Sequence, residues 1–374
     1  MRLLKKSVKA SVSILLTLTM MIGILAVIPL QASAATGISY IYRSWDSTNK
    51  KVVDTVKTCT DYTELDRRSG DYLKGWYVVS HNTTINSRLY VDDTDPVNII
   101  LCDGATLTCP KGFQISYYAK LNIYGQSGDA GKLVTHPNSS SDSPGDSHAL
   151  IEANGEFNFY GGKLEAECGT ELTRFKGAAI GGAKGKNSGT VNLYGGTVDA
   201  KTHYDSSAIG GGYQGGTGKV RIYGGTVTAK GSTAAPIGNG IEGNSNGSIE
   251  IYGGTVTAHS YNFSAAIGGS DGTDGPAVTI SGGTVYAFCY HDDGSGAGIG
   301  SGRKANRTKP IRITGGVVFA QSTDSAAIGA GCEASASNID LSGGVVVASA
   351  SKAAPVSEAV PKVTQTVSQY PVQW

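Results

Sequence analysis

The sequence has few charged side chains and, beyond its first 30 residues, no long apolar run. Charged residues make up 16% of its 374 residues, against roughly 25% in an average soluble domain. An unbroken stretch of about 18 apolar residues, which a membrane-spanning helix needs, does not occur after residue 30. We therefore expect no membrane span in the mature chain.

The balance of charge argues against nucleic acid as a partner. The formal net charge is +1. However, Arg2, Lys5, Lys6 and Lys9 all lie in the first 34 residues, where there is no acidic residue. The rest of the chain therefore carries more acidic than basic side chains. It lacks the basic excess that favours binding to nucleic acid or to an anionic membrane.

The sequence contains no convincing cofactor or metal motif. It has no C-x-x-C pair, so neither a zinc ribbon nor a thioredoxin-type site is expected. Residues 210–215 and 238–243 match the dinucleotide fingerprint only in their glycine spacing, because neither segment opens a helix in a βαβ unit. We expect no cofactor and no metal.

The six cysteines permit up to three disulfides, or else they are buried thiols. They are Cys59, Cys102, Cys109, Cys168, Cys289 and Cys332.

Residues 1–34 have the three parts of a secretory signal peptide. A basic start is followed by an apolar core from Ser13 to Leu30, and Ala32-Ser33-Ala34 fits the small-residue cleavage pattern. An uncleaved membrane anchor is the alternative, because the apolar core is long. We expect a secreted, extracellular protein, either free or held non-covalently at the cell surface.

A repeat of about 29 residues dominates the remaining sequence. Seven segments share an apolar alternation around a Gly-Gly pair, and an Ala-Ile-Gly signature recurs between them. Successive Gly pairs are 34, 29, 29, 29, 33 and 28 residues apart. The seven segments are 157–166, 191–200, 220–229, 249–258, 278–287, 311–320 and 339–348.

Each repeat predicts three short strands. Val220 and Ile222 point to one side of a strand and Arg221 and Tyr223 to the other, and a period of two is typical of β-structure. Each Gly pair marks a corner where a Cβ atom would not fit. Stacked repeats bury the apolar faces that one repeat cannot bury alone. We therefore predict an all-β, right-handed, single-stranded parallel β-helix with three strands per coil. The predicted stacked core comprises Val191, Leu193, Val220, Ile222, Ile249, Ile251, Val278 and Ile280.

Weaker copies of the pattern begin at residue 76. We assign residues 1–34 to the signal peptide, 35–75 to an N-terminal cap, 76–351 to the β-helix and 352–374 to a C-terminal cap or tail. The caps would cover the unpaired strand edges at the ends of the solenoid. A β-propeller is excluded because its blades need about 40–45 residues.

The early strands together with the coils resemble a known group of proteins. GWYVVS (75–80), NIILCDGATLT (98–108) and LNIYGQS (121–127), followed by AIGGG and YGGTVTA coils, are similar to secreted β-helix proteins of Gram-positive anaerobic bacteria. That group is described as carbohydrate-binding-domain or pectin-lyase-like proteins. The resemblance implies an extracellular protein that binds a plant or host polysaccharide or forms an adhesive stalk. Since the sorting signal of surface-anchored members is absent, we expect no covalent attachment to the cell wall.

One column of outward tyrosines is the first candidate site. The same position of successive coils carries a tyrosine, and stacking would set the rings about 5 Å apart. Such a row offers aromatic surface with polar tips to a sugar; the alternative is a purely structural stack. The candidate carbohydrate-binding residues are Tyr124, Tyr160, Tyr194, Tyr223 and Tyr252.

A second candidate lies in the loops between the second and third strands. Asp292, Asp293 and Asp324, with His291 beside them, place acids in successive coils. Paired carboxylates on one face are the machinery of a glycoside hydrolase, and a polysaccharide lyase also needs such acids. Because no basic residue recurs beside these acids, we predict a non-catalytic polysaccharide-binding or adhesive protein and keep the lyase or hydrolase as the alternative.

Overall fold

The computed structural model describes residues 37–137, 147–169, 175–243, 247–291, 294–306, 309–335 and 338–357. Within these ranges every helix or strand assigned is a β-strand. The predicted signal peptide and most of the predicted C-terminal cap or tail lie outside the described residues. No helix long and apolar enough to cross a membrane is found in the described ranges.

Each coil contributes strands to three faces of a solenoid, and the strands are numbered in chain order. The first face contains β4 (Trp76–Val79), β7 (Val97–Leu101), β10 (Lys120–Gly125), β13 (Glu156–Phe159), β16 (Thr190–Leu193), β19 (Lys219–Ile222) and β22 (Ser248–Ile251). The second face contains β5 (Thr83–Thr84), β8 (Thr106–Thr108), β11 (Lys132–Thr135), β14 (Lys163–Cys168), β17 (Thr197–Thr202), β20 (Thr226–Gly231) and β23 (Thr255–Ser260).

In the later coils the first two strands join into one. These continuous strands are β25 (Ala277–Cys289), β27 (Ile311–Ser322) and β29 (Ile339–Ala350). The third face is a sheet of nine short strands. They are β6 (Leu89–Val91), β9 (Phe113–Ile115), β12 (Ile151–Ala153), β15 (Ile180–Gly181), β18 (Ile209–Gly210), β21 (Ile237–Gly238), β24 (Ile267–Gly268), β26 (Ile299–Gly300) and β28 (Ile328–Gly329).

The coils stack in the register that the repeat predicts. Val191 pairs in parallel with Val220, Val220 with Ile249, and Ile249 with Val278. All eight predicted core side chains are 0–1% exposed. The predicted all-β parallel β-helix is confirmed, and its parallel sheets are consistent with right-handed winding.

The Gly pairs form the predicted corners, and the two glycines have different roles. A Cβ on Gly253 would lie 2.6 Å from the Tyr223 carbonyl oxygen of the preceding coil. Gly254 has φ +81°, a left-handed conformation that side chains rarely adopt. The first glycine therefore permits close coil stacking, whereas the second permits the turn.

The third face has a column of glycines that determines how closely its coils stack. Gly268 has φ +141°, and a Cβ there would lie 1.8 Å from the Gly300 carbonyl oxygen. That oxygen accepts a hydrogen bond from the Gly269 amide at 2.8 Å. The recurring Ile-Gly of the sequence signature thus places an apolar side chain in the core and bare backbone against the next coil.

The predicted N-terminal cap consists of two structurally different parts. Strands β1 (Ile38–Asp46) and β2 (Lys51–Cys59) pair as an antiparallel hairpin. Their aromatic residues contact rings that run along the first face, so this hairpin covers a side and not the end of the solenoid. Strand β3 (Thr63–Glu64) pairs with β4, and Leu65 and Leu73 enter the core. The solenoid therefore begins before residue 76, in the part of the chain that we had assigned to the cap.

The beginning of the predicted C-terminal cap or tail extends the third face. Val356 forms a parallel bridge with Ile328 of β28, and the Ser357 amide donates to the Ile328 carbonyl oxygen at 3.1 Å. These contacts cover part of the last edge of that face.

All six cysteines are free thiols. Cys109, Cys168 and Cys289 are 0–2% exposed. Burial in the apolar core raises the pKa of the Cys168 and Cys289 thiols to about 12. These thiols therefore behave as small core residues and not as nucleophiles.

Candidate functional site

The predicted column of tyrosines exists, and its rings stack face to face. We call Tyr124, Tyr160, Tyr194, Tyr223 and Tyr252 the tyrosine ladder. Successive ring centroids lie 4.7, 4.8, 4.7 and 4.9 Å apart, with interplanar angles of 6–10°. Because each ring packs on the next, only ring edges and hydroxyl groups point away from the column.

The β1–β2 hairpin lies against these outward edges. Tyr40 packs on Tyr124 with centroids 4.8 Å apart, and Tyr42 packs on Tyr160 at 5.3 Å. Arg43 anchors the hairpin, donating to the Tyr160 carbonyl oxygen at 2.6 Å and pairing with Asp129 at 2.8 Å. Tyr124 and Tyr160 are only 5% and 8% exposed.

The expectation of an open sugar platform on the tyrosine ladder therefore needs correction. Trp45 contacts the rings of Tyr223 and Tyr252, so the hairpin reaches from the early coils to the far end of the ladder. We did not predict the contact between the hairpin and the ladder, because we expected residues 35–75 to cap the end of the solenoid. The ladder is the surface on which the hairpin packs, which is the structural alternative that the sequence left open.

Burial also changes the ionisation of the ladder. Desolvation, with a smaller contribution from the neighbouring Tyr223, raises the pKa of Tyr194 to about 12. Desolvation and a hydrogen bond of 2.8 Å from its hydroxyl to the Glu250 carboxylate raise the pKa of Tyr252 to about 12. The pKa values of Tyr124 and Tyr160 are also raised by burial. The rings are thus neutral at physiological pH.

The acidic loop column is only partly described. Asp292 and Asp293 lie outside the described residues. The Asp324 carboxylate accepts from the Gly294 amide at 2.6 Å and pairs with Lys352 at 2.6 Å. Desolvation raises the pKa of Asp324, but these two partners outweigh it and leave the pKa below its usual value. The His291 ring packs edge-on against Phe263 with centroids 4.4 Å apart. The Asp324 carboxylate therefore connects the loop at Gly294 to the chain segment at Lys352.

The structure brings together an aromatic surface that the sequence analysis did not identify. It lies on the outer side of the second face, in the coils of β23, β25 and β27. We call it the aromatic strip, and it consists of His259, Tyr261, Tyr286, Phe288, Tyr290 and Phe319.

Strand register explains the geometry of the aromatic strip. Tyr286 is paired with Phe319 on the next coil, and their rings stack with centroids 5.0 Å apart and an interplanar angle of 7°. Phe288 lies beside Tyr290, with centroids 5.7 Å apart. Tyr290 is 42% exposed. The strip is thus a group of neighbouring aromatic rings on the outer side of the second face.

His259 extends the strip toward the preceding coils. Its ring lies 5.4 Å from that of Phe288 and 6.0 Å from that of Tyr290. Burial and the positive charge of Lys230 lower the pKa of His259 below its usual value. The imidazole is therefore neutral at neutral pH and acts as one more flat ring of the strip.

The signal for the strip was present in the sequence but did not repeat. Tyr286, Phe288 and Tyr290 alternate in steps of two, as outward residues of one strand must. Earlier coils carry threonine in place of Tyr286, so the repeat comparison did not highlight the position. Phe319 holds the position in its repeat that Tyr286 holds in the preceding repeat, and the pairing of β25 with β27 makes the two residues neighbours.

Next to the strip, the second face carries a charged groove of about 250 Å³. It is lined by Glu165, Glu167, Asp199, Lys201 and Lys230, among other residues. Glu167 accepts from Lys201 at 2.9 Å and from His203 at 2.7 Å. Desolvation raises the pKa of Glu167, yet these hydrogen bonds outweigh it and hold the pKa below its usual value.

In the part of the chain that is described, no three His, Cys, Asp or Glu side chains come together in an arrangement that could hold a metal ion. Nothing in the chemistry of the aromatic strip requires one.

Comparison with known families supports the repeat architecture. A family model described as a beta helix repeat matches residues 220–244, 249–271, 278–303 and 311–332. Each matched segment corresponds to one coil, with three separate strands in the first two segments and with the first two strands joined into one in the last two. Neither the curated proteins nor the solved structures gave a match. The match supports the fold and names no activity: the chain is a parallel β-helix protein with beta helix repeats.

Proposed function

We propose that this protein is an extracellular, non-catalytic polysaccharide-binding β-helix and that the aromatic strip is its binding surface. The observation that carries the proposal is the outward-facing group of rings on the second face. Sugar rings bury their apolar faces on aromatic side chains, while a tyrosine hydroxyl remains available for hydrogen bonds.

The dimensions of the strip support an extended ligand. Its rings span the three coils of β23, β25 and β27, which are spaced by about 4.8 Å per coil. Tyr261 and Tyr290 are 49% and 42% exposed, so a ligand could cover them without moving the backbone. A polymer could contact several rings at once, and many weak contacts would add to a useful affinity.

Retention on polysaccharides tests this proposal. The double variant Tyr286→Ala/Phe319→Ala removes the stacked pair, and we expect it to lose about tenfold or more in affinity for the retained polysaccharide. The probes are columns of cellulose and of immobilised xylan, pectin and mucin, and retention is measured as the elution volume of the protein. Tyr72→Ala is the matched control, because Tyr72 is also exposed, at 65%, but lies outside the strip.

The outcomes separate binding from stability. We expect Tyr286→Ala/Phe319→Ala and Tyr72→Ala to keep the melting temperature of the wild type to within a few degrees. The three side chains that they remove are all at least partly exposed. Equal retention of wild type and double variant on every polysaccharide that is bound would remove the strip as the binding surface. Failure of the wild type to bind any of the four would argue against the function itself.

A lyase or glycoside hydrolase is the second candidate, and the charged groove favours it. Glu165 pairs with Asp199 on the neighbouring coil, which sets the two residues about 4.8 Å apart along the solenoid. Two carboxyl groups separated by 5–9.5 Å can perform glycoside hydrolysis. Release of reducing ends or unsaturated products, abolished by Asp199→Asn but not by Tyr286→Ala/Phe319→Ala, would establish this candidate.

A further inference from the structure

A cavity opens on the third face, away from both the tyrosine ladder and the aromatic strip. Its volume is about 850 Å³, within the range of small-molecule sites. We call it the third-face cavity. Its lining includes Tyr117, His148, Glu152, Lys184 and Lys186.

A step in the surface explains why the cavity is there. From residue 182 onward, the loops that follow the third strands stack on one another through backbone hydrogen bonds. Gly185 donates to the Tyr213 carbonyl oxygen at 2.7 Å, and Gln214 to that of Ile241 at 2.7 Å. The coil of β9 instead has only a short turn, which Ala119 closes on Ser116 at 2.9 Å. The first loop of the stack, residues 182–189, therefore projects farther from the solenoid than this turn and overhangs it.

Glu152, which lines the cavity, belongs to a buried ion pair. Arg88 and Glu152 have side chains that are each 7% exposed, and Arg88 Nη2 lies 2.8 Å from Glu152 Oε2. The Arg88 Nη1 group donates to the carbonyl oxygens of Lys111 and Ala149. The charge of Glu152 is thus compensated within the protein and does not repel an anion in the cavity.

The same carboxylate orients a histidine at the cavity. His148 Nδ1 lies 2.8 Å from Glu152 Oε2, and 44% of the His148 side chain is exposed. Because Nδ1 is held by Glu152, Nε2 is the ring nitrogen that is left for a ligand. Asn154 donates to the other Glu152 oxygen at 3.0 Å and completes the support.

The rim of the cavity combines positive charge with an aromatic ring. Lys184 and Lys186 are exposed on the overhanging loop, and neither forms an ion pair with any residue in the described ranges. Tyr117 is 74% exposed and packs edge-on against Tyr118, with centroids 4.9 Å apart. Among the described lining residues Glu152 is the one acid, and Arg88 neutralises it. An anionic ligand with an apolar ring face fits this combination.

We propose that the third-face cavity binds a carboxylate-bearing sugar, such as a hexuronic acid residue. The two lysines would pair with the carboxylate, Tyr117 would lie against the sugar ring, and His148 Nε2 would hydrogen bond to a hydroxyl group. This site is independent of the aromatic strip, so neither proposal depends on the other.

Calorimetric titration of the full chain with glucuronate tests the proposal, with glucose as the neutral counterpart. We expect saturable binding of glucuronate and at least tenfold weaker binding of glucose, because hydrogen bonds to a charged group are the stronger ones. Lys184→Gln/Lys186→Gln should weaken glucuronate binding at least tenfold. Lys219→Gln is the control, since it removes one positive charge from an exposed strand residue that does not line the cavity.

Tyr117→Ala and an inorganic phosphate titration complete the test. We expect Tyr117→Ala to weaken glucuronate binding several-fold and to leave polysaccharide retention by the aromatic strip unchanged. Phosphate that binds as tightly as glucuronate, and is lost in the same lysine variant, would show a general anion site and overturn the sugar assignment. The proposal also fails if the wild type does not bind glucuronate or if Lys219→Gln weakens binding as much as the lysine pair does.

Discussion

Trp45 of the hairpin lies against Tyr252 of the solenoid, with ring centroids 5.3 Å apart and an angle of 44° between the rings. Trp45 belongs to β1, whereas Tyr252 follows β22, so this contact joins the beginning of the described chain to the far end of the tyrosine ladder. At the other end of the tyrosine ladder, Tyr40 packs on Tyr124. These two contacts hold the hairpin along the first face. Of the five ladder residues, Tyr124 and Tyr160 are buried and the other three are half-buried.

We expect Trp45→Ala to destabilise the protein by about 1–3 kcal/mol, because an aromatic side chain loses both apolar burial and ring contacts. Thermal unfolding measures the change. Val56→Ala is the control, since Val56 lies in the same hairpin but is 69% exposed. A Trp45 variant as stable as the Val56 variant would mean that the hairpin does not depend on this contact.

The double variant Tyr194→Ala/Tyr223→Ala should lower the melting temperature and leave polysaccharide retention unchanged. Both rings stack within the ladder at 4.7 Å, so their removal takes away packing and no open binding surface. Retention on the preferred polysaccharide is measured beside the melting curve. Loss of retention at an unchanged melting temperature would restore the ladder as a binding site.

Stability should fall at alkaline pH because of the ladder. The folded protein raises the pKa of Tyr194 and Tyr252 to about 12, whereas an unfolded tyrosine titrates near 10. Above pH 10 the folded state therefore holds more protons than the unfolded state. The stabilisation is complete below pH 10 and is lost as the pH rises toward 12.

Denaturant unfolding between pH 8 and pH 11, with tyrosinate absorbance as a second signal, checks this expectation. Tyr194→Phe should reduce the alkaline loss of stability, because phenylalanine keeps the stack without the ionisable group. Tyr118→Phe is the control, as Tyr118 is 77% exposed. An equal alkaline loss in the Tyr194 variant and the wild type would contradict the assignment.

Gly268→Ala should destabilise the protein far more than Gly272→Ala. Both positions have positive φ, at +141° and +70°. A Cβ on Gly268 would lie 1.8 Å from the Gly300 carbonyl oxygen, whereas a Cβ on Gly272 would meet no atom within 4 Å. Backbone strain alone costs about 1–2 kcal/mol; the Gly268 variant must also separate two coils.

Soluble yield and urea unfolding of these two variants measure the difference. We expect the Gly272 variant to fold with a modest loss of stability and the Gly268 variant to lose several kcal/mol or fail to fold. Similar unfolding midpoints would mean that the third face tolerates wider coil spacing than its geometry indicates.

The sequence by itself determined the architecture of the coils. Alternation such as Val220-Arg221-Ile222 fixes which side chains point inward, and a recurring Gly pair fixes each corner. Both properties are local and recur in every repeat, so each repeat by itself specifies the inward side chains and the corner of its coil. The predicted parallel pairing and the eight predicted core residues are accordingly confirmed.

Only the tertiary structure decided what covers the first face and which residues meet on the others. Tyr40 and Trp45 lie outside the repeat, and nothing local to them specifies that their hairpin packs along the tyrosine ladder. Tyr286 and Phe319 hold equivalent positions in successive repeats, but only the structure shows that their rings stack and that Phe288 and Tyr290 lie beside them in one strip. Arg88 and Glu152 likewise come from different coils, because a solenoid brings together residues that are distant along the chain.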